Sequence, residues 1–283
     1  MFRMNGSSAS SQARRKLVLL APEGARIPEK FRNRKDDSRS RTHLLAELQR
    51  LRGRVYLEDG AIKPRDLTSD KRHIQTADEE SWHILVADEN NRVSGCARYL
   101  SHSAFARIED LGVSSAPIVT SPLTRLWARA AIDAQLQDAR DRGLGYVEVG
   151  GWALTEELRW SAAALHLALA SYALAEILGG CLSIGTVTHR HASSSILRRI
   201  GGASLQYGGM EAGSYFDPRY GCDMEILTFD SGKPNPKYKG MLLEIQKELS
   251  MEAQVVGDSL VPAVITEPVL VPATASLAQL SAA

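Results

Sequence analysis

Residues 159–180, RWSAAALHLALASYALAEILGG, are the longest apolar run in the chain, and any fold has to find a place for them. Only Ser161, His166, Ser171 and Glu176 interrupt the stretch from 161 to 178. They stand five residues apart, so each step turns about 140° around a helix and the four define no polar face. A helix that is apolar all round either crosses a membrane or lies inside a protein core. Composition separates the two. Seven of the eighteen positions from 161 to 178 are alanine and Glu176 lies inside the run. A carboxylate at mid-bilayer costs roughly 2.5–3.5 kcal/mol even on lenient insertion scales. Gly179-Gly180 and another apolar segment follow, not a loop rich in Lys and Arg. The run therefore predicts a deeply buried helix, ended by its double glycine.

A core that takes in such a helix needs a sizeable domain, and 283 residues supply one large domain or two small ones. A hydrophobic share of 44% and a charged share of 24% are ordinary for a globular chain. The net charge of +1 gives no argument for nucleic acid as a partner. Cys96, Cys181 and Cys222 lie far apart and form neither a disulfide framework nor a metal-binding pair. A reducing, cytoplasmic setting is expected. Arg14, Arg15 and Lys16 precede LVLLAP, a run too short for the core of a signal peptide. Residues 1–42, rich in Ser and Arg, read as a mobile N-terminal extension whose basic patch could reach phosphate or lipid headgroups. Residues 231–283 read as a C-terminal extension with a short helix and a tail rich in Ala, Val and Pro. The folded domain is expected over 43–230.

Within that domain, Leu44, Leu45, Leu48 and Leu51 recur at helical spacing, and WHILVAD (82–88) and VSGCARYL (93–100) form a hairpin across ENNR. Ser121-Pro122 reads as the cap of a helix carrying Leu123 and Trp127 on one face. GYVEVGGWAL (145–154) is a strand with paired glycines, and the buried helix follows it. CLSIGTV (181–187) is the next strand, then a short helix from about His191 to Ile200 and a closing strand, DMEILTF (223–229). This mixed alternation predicts an α/β or α+β sheet with helices on its faces.

The first turn of the buried helix offers unpaired N–H groups and the positive end of a dipole, which favour an anion. The small residues Ser161, Ala162, Ala163 and Ala164 would let a phosphate approach, and Arg159 has bidentate reach. A glycine-containing strand, then R-x-x-A-x-A, a helix, a strand and a short helix ending LRRIGG resemble the GNAT superfamily of N-acyltransferases. That resemblance implies a mostly antiparallel mixed sheet with a splayed central strand and helices on both faces. It also implies a coenzyme A pyrophosphate at Arg159, Ser161, Ala162 and Ala164, and a pantetheine arm along Gly150, Gly151 and Trp152. Alanine replaces both motif glycines, and Leu197 stands where the family often has a tyrosine acid. RGRVYLEDG (52–60), residues 77–100 and YVEVGGWAL (146–154) are similar in layout to acyl-homoserine-lactone synthases and N-acyl amino acid synthases. Arg54, Asp78, Arg98 and Glu148 fall at matching places, the first three implied to bind substrate. Gly151 replaces an arginine of that family, which counts against homoserine lactone as the product.

Aminolysis of a thioester needs a neutral amine, a stabilised oxyanion and a proton for the leaving thiolate. Glu148 is expected to take the amine proton if burial raises its pKa. Backbone N–H groups at Gly150-Gly151 are expected to hold the oxyanion. His189 and His191, after the strand CLSIGTVT, are the other acid–base candidates. Without a third ligand at diagnostic spacing they do not read as a metal site. His166 reads as a hydrogen-bonded core histidine, and Ser193–Ser195 as a polar first turn. The expected activity is acyl transfer from acyl-CoA or an acyl carrier protein, as a co-substrate and not a resident cofactor, to a small amine such as an amino acid. A non-catalytic acyl/CoA-binding module and an autoinducer synthase are the alternatives, and no transmembrane segment is expected.

Overall fold

The computed structural model describes residues 15–159 and 161–258. The expectations for residues 1–14 and 259–283 lie outside the described residues. In chain order the strands and helices are β1 (Lys16–Leu20), β2 (Arg34–Asp36), α1 (Ser38–Glu58), β3 (Trp82–Ala87), β4 (Val93–His102), α2 (Pro117–Thr120), α3 (Arg125–Asp141) and β5 (Gly145–Leu154). Then come α4 (Glu156–Arg159), α5 (Ala162–Leu178), β6 (Cys181–Thr188), α6 (Ser193–Ile200), β7 (Ala203–Ser204), β8 (Gln206–Tyr207), β9 (Met210–Glu211), β10 (Tyr215–Asp217), β11 (Cys222–Asp230), α7 (Lys239–Lys247) and β12 (Gln254–Gly257).

The main sheet runs β10-β11-β6-β5-β4-β3-β1-β12-β2, with β7 also on β11. Most neighbours are antiparallel, whereas β5/β6, β1/β12 and β12/β2 are parallel. Alternation along the strands divides the core. Leu17, Leu19, Ile84 and Val86 face α5, while Val18, Leu20, Leu85 and Ala87 face α1. The helix α3 packs over Tyr146, Leu182, Ile184 and Ile226. Helices thus cover both faces of a mixed, mostly antiparallel sheet, as expected.

Ser161 caps α5 by accepting from Ala163 N at 3.1 Å, and Gly179 ends it in the left-handed region at φ 111°. Ten of its seventeen residues are buried, and no described helix is long and apolar enough to cross a membrane. Three readings of the sequence need correction. Residues 15–42 are not a mobile extension, because β1 lies between β3 and β12 with Val18 and Leu19 fully buried. The apolar run LVLL was short enough to pass for part of a tail, and its partners come from residues 83–87 and 254–256. The second concerns α3, which starts at Arg125 behind Thr124 and not at Pro122, leaving Leu123 exposed. His166 is also nearer the surface than expected, its ring 3.2 Å from Glu248 and its side chain 38% exposed.

Candidate active site

Two irregularities in β5 create the site. Its parallel ladder with β6 ends at Glu148↔Ile184. Beyond that point β5 stays with β4 while β6 turns away with β11, so a cleft opens between them. The antiparallel ladder with β4 also slips. Cys96 faces Ala153 but Arg98 faces Gly150, so β5 holds one residue more than its partner, the signature of a β-bulge. Gly151 adopts φ +60° there, and a Cβ at this position would lie 3.0 Å from Arg98 Cβ. The glycine pair read from the sequence is this bulge.

A buried ion pair supports the bulge from below. Arg52 Nη1 and Nη2 donate to Asp78 Oδ1 and Oδ2 at 2.9 and 2.6 Å, and Nη2 also donates to the His73 carbonyl at 2.6 Å. Asp78 accepts two further bonds, from Gln49 Nε2 and Gln75 N, each at 3.0 Å. Burial would push the Asp78 carboxyl up, but the Arg52 hydrogen bond and charge outweigh it and hold the group below the usual range.

The cleft continues inward as a cavity of about 350 Å³. Ala164, Ala168, Ser171, Tyr172 and Ala175 of α5 line it, a single stripe at spacings of four, three, one and three residues. Val149, Val187, Leu197 and Met224 add apolar wall. Arg98 lines the cavity beside the bulge and donates from Nη1 to Gln75 Oε1 at 2.7 Å, while its Nε is buried without a partner among the described residues. Among the described residues no carboxylate stands within ion-pair distance of Arg98.

Glu148 also lines the cavity. Its Oε2 accepts from Gly112 N at 2.8 Å and from His102 Nε2 at 3.1 Å, and its Oε1 from Val113 N at 2.8 Å. The expected rise in pKa does not occur. Burial favours the neutral acid, but the bond from His102 and the two backbone donors prevail and lower the pKa. Glu148 is therefore a charged, fixed carboxylate at neutral pH.

Basic groups gather at the mouth. Arg159, Arg190 and His191 all line it together with Asp59 from the end of α1. His191 Nε2 lies 2.9 Å from Asp59 Oδ1, and Arg159 Nη1 lies 3.8 Å from the same oxygen. Arg190 donates to the Asp59 carbonyl and, at 3.1 Å, to the Gly221 carbonyl. His191 and Ala192 are both left-handed, at φ 53° and 57°, an uncommon geometry for two non-glycine residues. The loop between β6 and α6 is thus drawn across to α1 over the mouth.

The structure brings Glu148, Gly150, Gly151, Trp152, Arg98, Arg159, Ala164 and His191 to one cavity. Ser161 and Ala162 are exposed at the start of α5, and His189 pairs with Ser214 at 3.1 Å outside the lining. Arg54, expected to bind substrate, is exposed and does not line the cavity. The arginine that meets Asp78 is Arg52, two residues earlier, and Asp78 serves that pair beneath the cavity wall. Helical register could have chosen between them, since Leu44, Leu48, Leu51 and Val55 are buried on the same side as Arg52. Local spacing does not mark His102, Asp59 and Arg190, because each acts through partners 31 to 132 positions away.

No protein-family model and no curated protein matches the chain. Solved structures do. The CoA-dependent acyl-homoserine lactone synthase BjaI, with SAM and isopentyl-CoA, aligns at a TM-score of 0.49 and 14% identity over 86% of this chain and 93% of BjaI. FeeM, an N-acyl amino acid synthase from uncultured soil microbes, aligns at 0.45 and 12% identity over 80% of this chain and 94% of FeeM. TofI, in a ternary complex with an inhibitor and MTA, aligns at 0.45 and 18% identity over 76% of this chain and 91% of TofI.

Proposed function

We propose that the chain is an N-acyltransferase that moves an acyl group from a CoA or carrier-protein thioester to an amine bearing a carboxylate. The observation that carries this reading is the sequence of environments along one cavity: a cationic mouth, a bulged strand edge and an apolar interior. The mouth, with Arg159, Arg190 and His191, suits the phosphate end of a pantetheine donor. The edge of β5 at Gly150-Gly151 suits the extended arm and the thioester carbonyl. The interior takes the acyl chain.

Arg98 is a cavity-lining cation without a carboxylate partner among the described residues, which supports an amino-acid-like acceptor held by its carboxylate next to the bulge. In the step itself the amine nitrogen bonds to the carbonyl carbon, the carbon–sulfur bond breaks, and the thiolate leaves. The amine proton passes to the Glu148–His102 pair. Because Glu148 is held low, its weight falls more on fixing His102 and balancing charge than on strong basicity. The thiolate takes its proton at the site; Leu197 in the cavity wall cannot provide it, whereas the Tyr220 phenol lining the same space can.

The three free cysteines support a reducing compartment such as the cytoplasm. The direct test incubates the full-length chain with decanoyl-CoA or a decanoylated carrier protein and a mixture of the common amino acids, with N-acyl products read by mass spectrometry. A product with either donor is expected. Tight thioester binding with no product would leave a non-catalytic acyl-binding module in place of an enzyme.

A further inference from the structure

Among the described residues Arg98 reaches the cavity without a carboxylate partner, and the side chain that meets it is the neutral amide of Gln75. A guanidinium only donates, so Gln75 must turn its oxygen to Arg98, and Nη1 donates to Oε1 at 2.7 Å. That orientation sends Gln75 Nε2 away from the guanidinium, where it has no hydrogen-bond partner among the described residues. Arg98 Nη2 also has none among them, and it lies 3.7 Å from where a Cβ would stand on Gly150. Both side chains are half-buried, and both line the cavity together with Gly150.

The backbone of Gln75 is fixed from below. Its N–H donates to Asp78 Oδ2 at 3.0 Å, and the buried Arg52 donates to the same oxygen at 2.6 Å. Gln75 and Arg98 therefore offer two donors side by side, which one carboxylate can accept together. The neutral amide adds no negative charge to compete for that place. Strand register sets the distance to the chemistry. Arg98 pairs with Gly150 and Leu100 with Glu148, so Arg98 and Glu148 are diagonal neighbours on one face, their backbones roughly 7–8 Å apart. An α-amino acid with its carboxylate on Arg98 and Gln75 can turn its amine toward Glu148 and the bulge.

Resting on the acyl-transfer reading, we propose that Gln75 determines acceptor specificity: it positions Arg98, adds a second donor, and by being neutral makes the site require a carboxylate from the acceptor. Gln75→Glu keeps the shape and the contact with Arg98 but supplies that carboxylate from within. It also puts a negative oxygen where the amide donor stood, facing the acceptor's own carboxylate.

A competition in one tube tests this with the full chain and either decanoyl-CoA or a decanoylated carrier protein. Equimolar monocarboxylic amino acids are set against their decarboxylated amines, and the N-acyl products are read by mass spectrometry. The ratio of products reports relative kcat/KM and does not depend on how much of a variant is folded. The unmodified chain should favour the amino acids by at least about tenfold, the effect of hydrogen bonds to a charged group. In Gln75→Glu that preference should fall at least about tenfold, through a higher KM for the amino acids. Gln75→Leu, which removes the amide without adding charge, should lower it less, since Arg98 stays uncompensated. A preference that Gln75→Glu leaves unmoved, an equal fall in Gln75→Leu, or an unmodified chain that favours the amines would overturn the assignment while leaving acyl transfer standing. No product from either donor with either set of acceptors would overturn the acyl-transfer reading and this inference with it.

Discussion

Replacing Asp78 by Asn is expected to cost far more than the loss of one surface charge. The change keeps the shape but removes the charge that balances Arg52, whose side chain is 0% exposed. Breaking a buried pair by neutralising one partner typically costs about 3–5 kcal/mol, because the other charge stays buried and unpaired. For a chain of this size about 2–4 °C of Tm accompanies each kcal/mol, so a fall of roughly 6–20 °C should appear by calorimetry. The pair Arg52→Met with Asp78→Leu should recover most of that loss, since apolar replacement of both partners is often close to neutral. pH supplies an independent readout. The Asp78 pKa is lowered in the folded state, so its contribution is fully present above the unfolded value of about 3.9 and is lost as pH falls through the lower folded value. Asp78→Asn should remove that acid-side slope. If Asp78→Asn lost less than about 1 kcal/mol, or if the apolar pair were less stable than the single variant, the buried charge of Arg52 would not depend on Asp78 for its compensation.

Other substitutions probe the site more directly. Glu148→Gln should lower turnover by at least tenfold and also lower Tm, because the amide NH₂ would face either the Gly112 or the Val113 N–H donor; unchanged turnover would remove Glu148 from the mechanism. With its pKa lowered, Glu148 stays charged as pH falls from 8 to about 5, so an activity loss in that window that persists in Glu148→Asp would have to come from another group. Asp59→Asn releases Arg159 and His191 from a competing carboxylate, so the Kd of a CoA thioester should fall severalfold; weaker binding would show that Asp59 orders the mouth instead of occupying it. Gly151→Ala puts a side chain at φ +60° and 3.0 Å from Arg98 Cβ, and about 1–2 kcal/mol of stability should go, together with donor binding.

Much of this arrangement is legible in the sequence where the signals are local. The β3–β4 hairpin, the bounds of β5, and α5 with its terminal glycines follow from apolar periodicity and turn residues. The bulge follows from a glycine pair inside a strand. What local signals do not carry is pairing between distant segments. LVLL becomes a strand only because it meets QVV and β3, and QVV only because it meets LVLL and β2, and so short an apolar run gives no hint of that. Arg52 and Arg54 differ by two positions on a helix, about 200° around its axis, so a match by motif alone selected the one that faces solvent. The low pKa of Glu148 depends on His102, Gly112 and Val113, donors 46, 36 and 35 positions away that no local signal points to.

The placement of β12 between β1 and β2 has a consequence for how the chain is made. Val18, Leu19 and Leu20 leave the ribosome well before their partners Gln254, Val255 and Val256, which follow about 236 residues later. One edge of β1 must wait until they follow, an unpaired apolar strand of the kind that seeds aggregation. Parallel pairing over such a separation is also among the slowest contacts to form. Deleting residues from 250 onward should therefore leave β3–β6 able to assemble but turn the nascent β1 edge into a chaperone client, visible as a loss of soluble yield before any loss of the cleft.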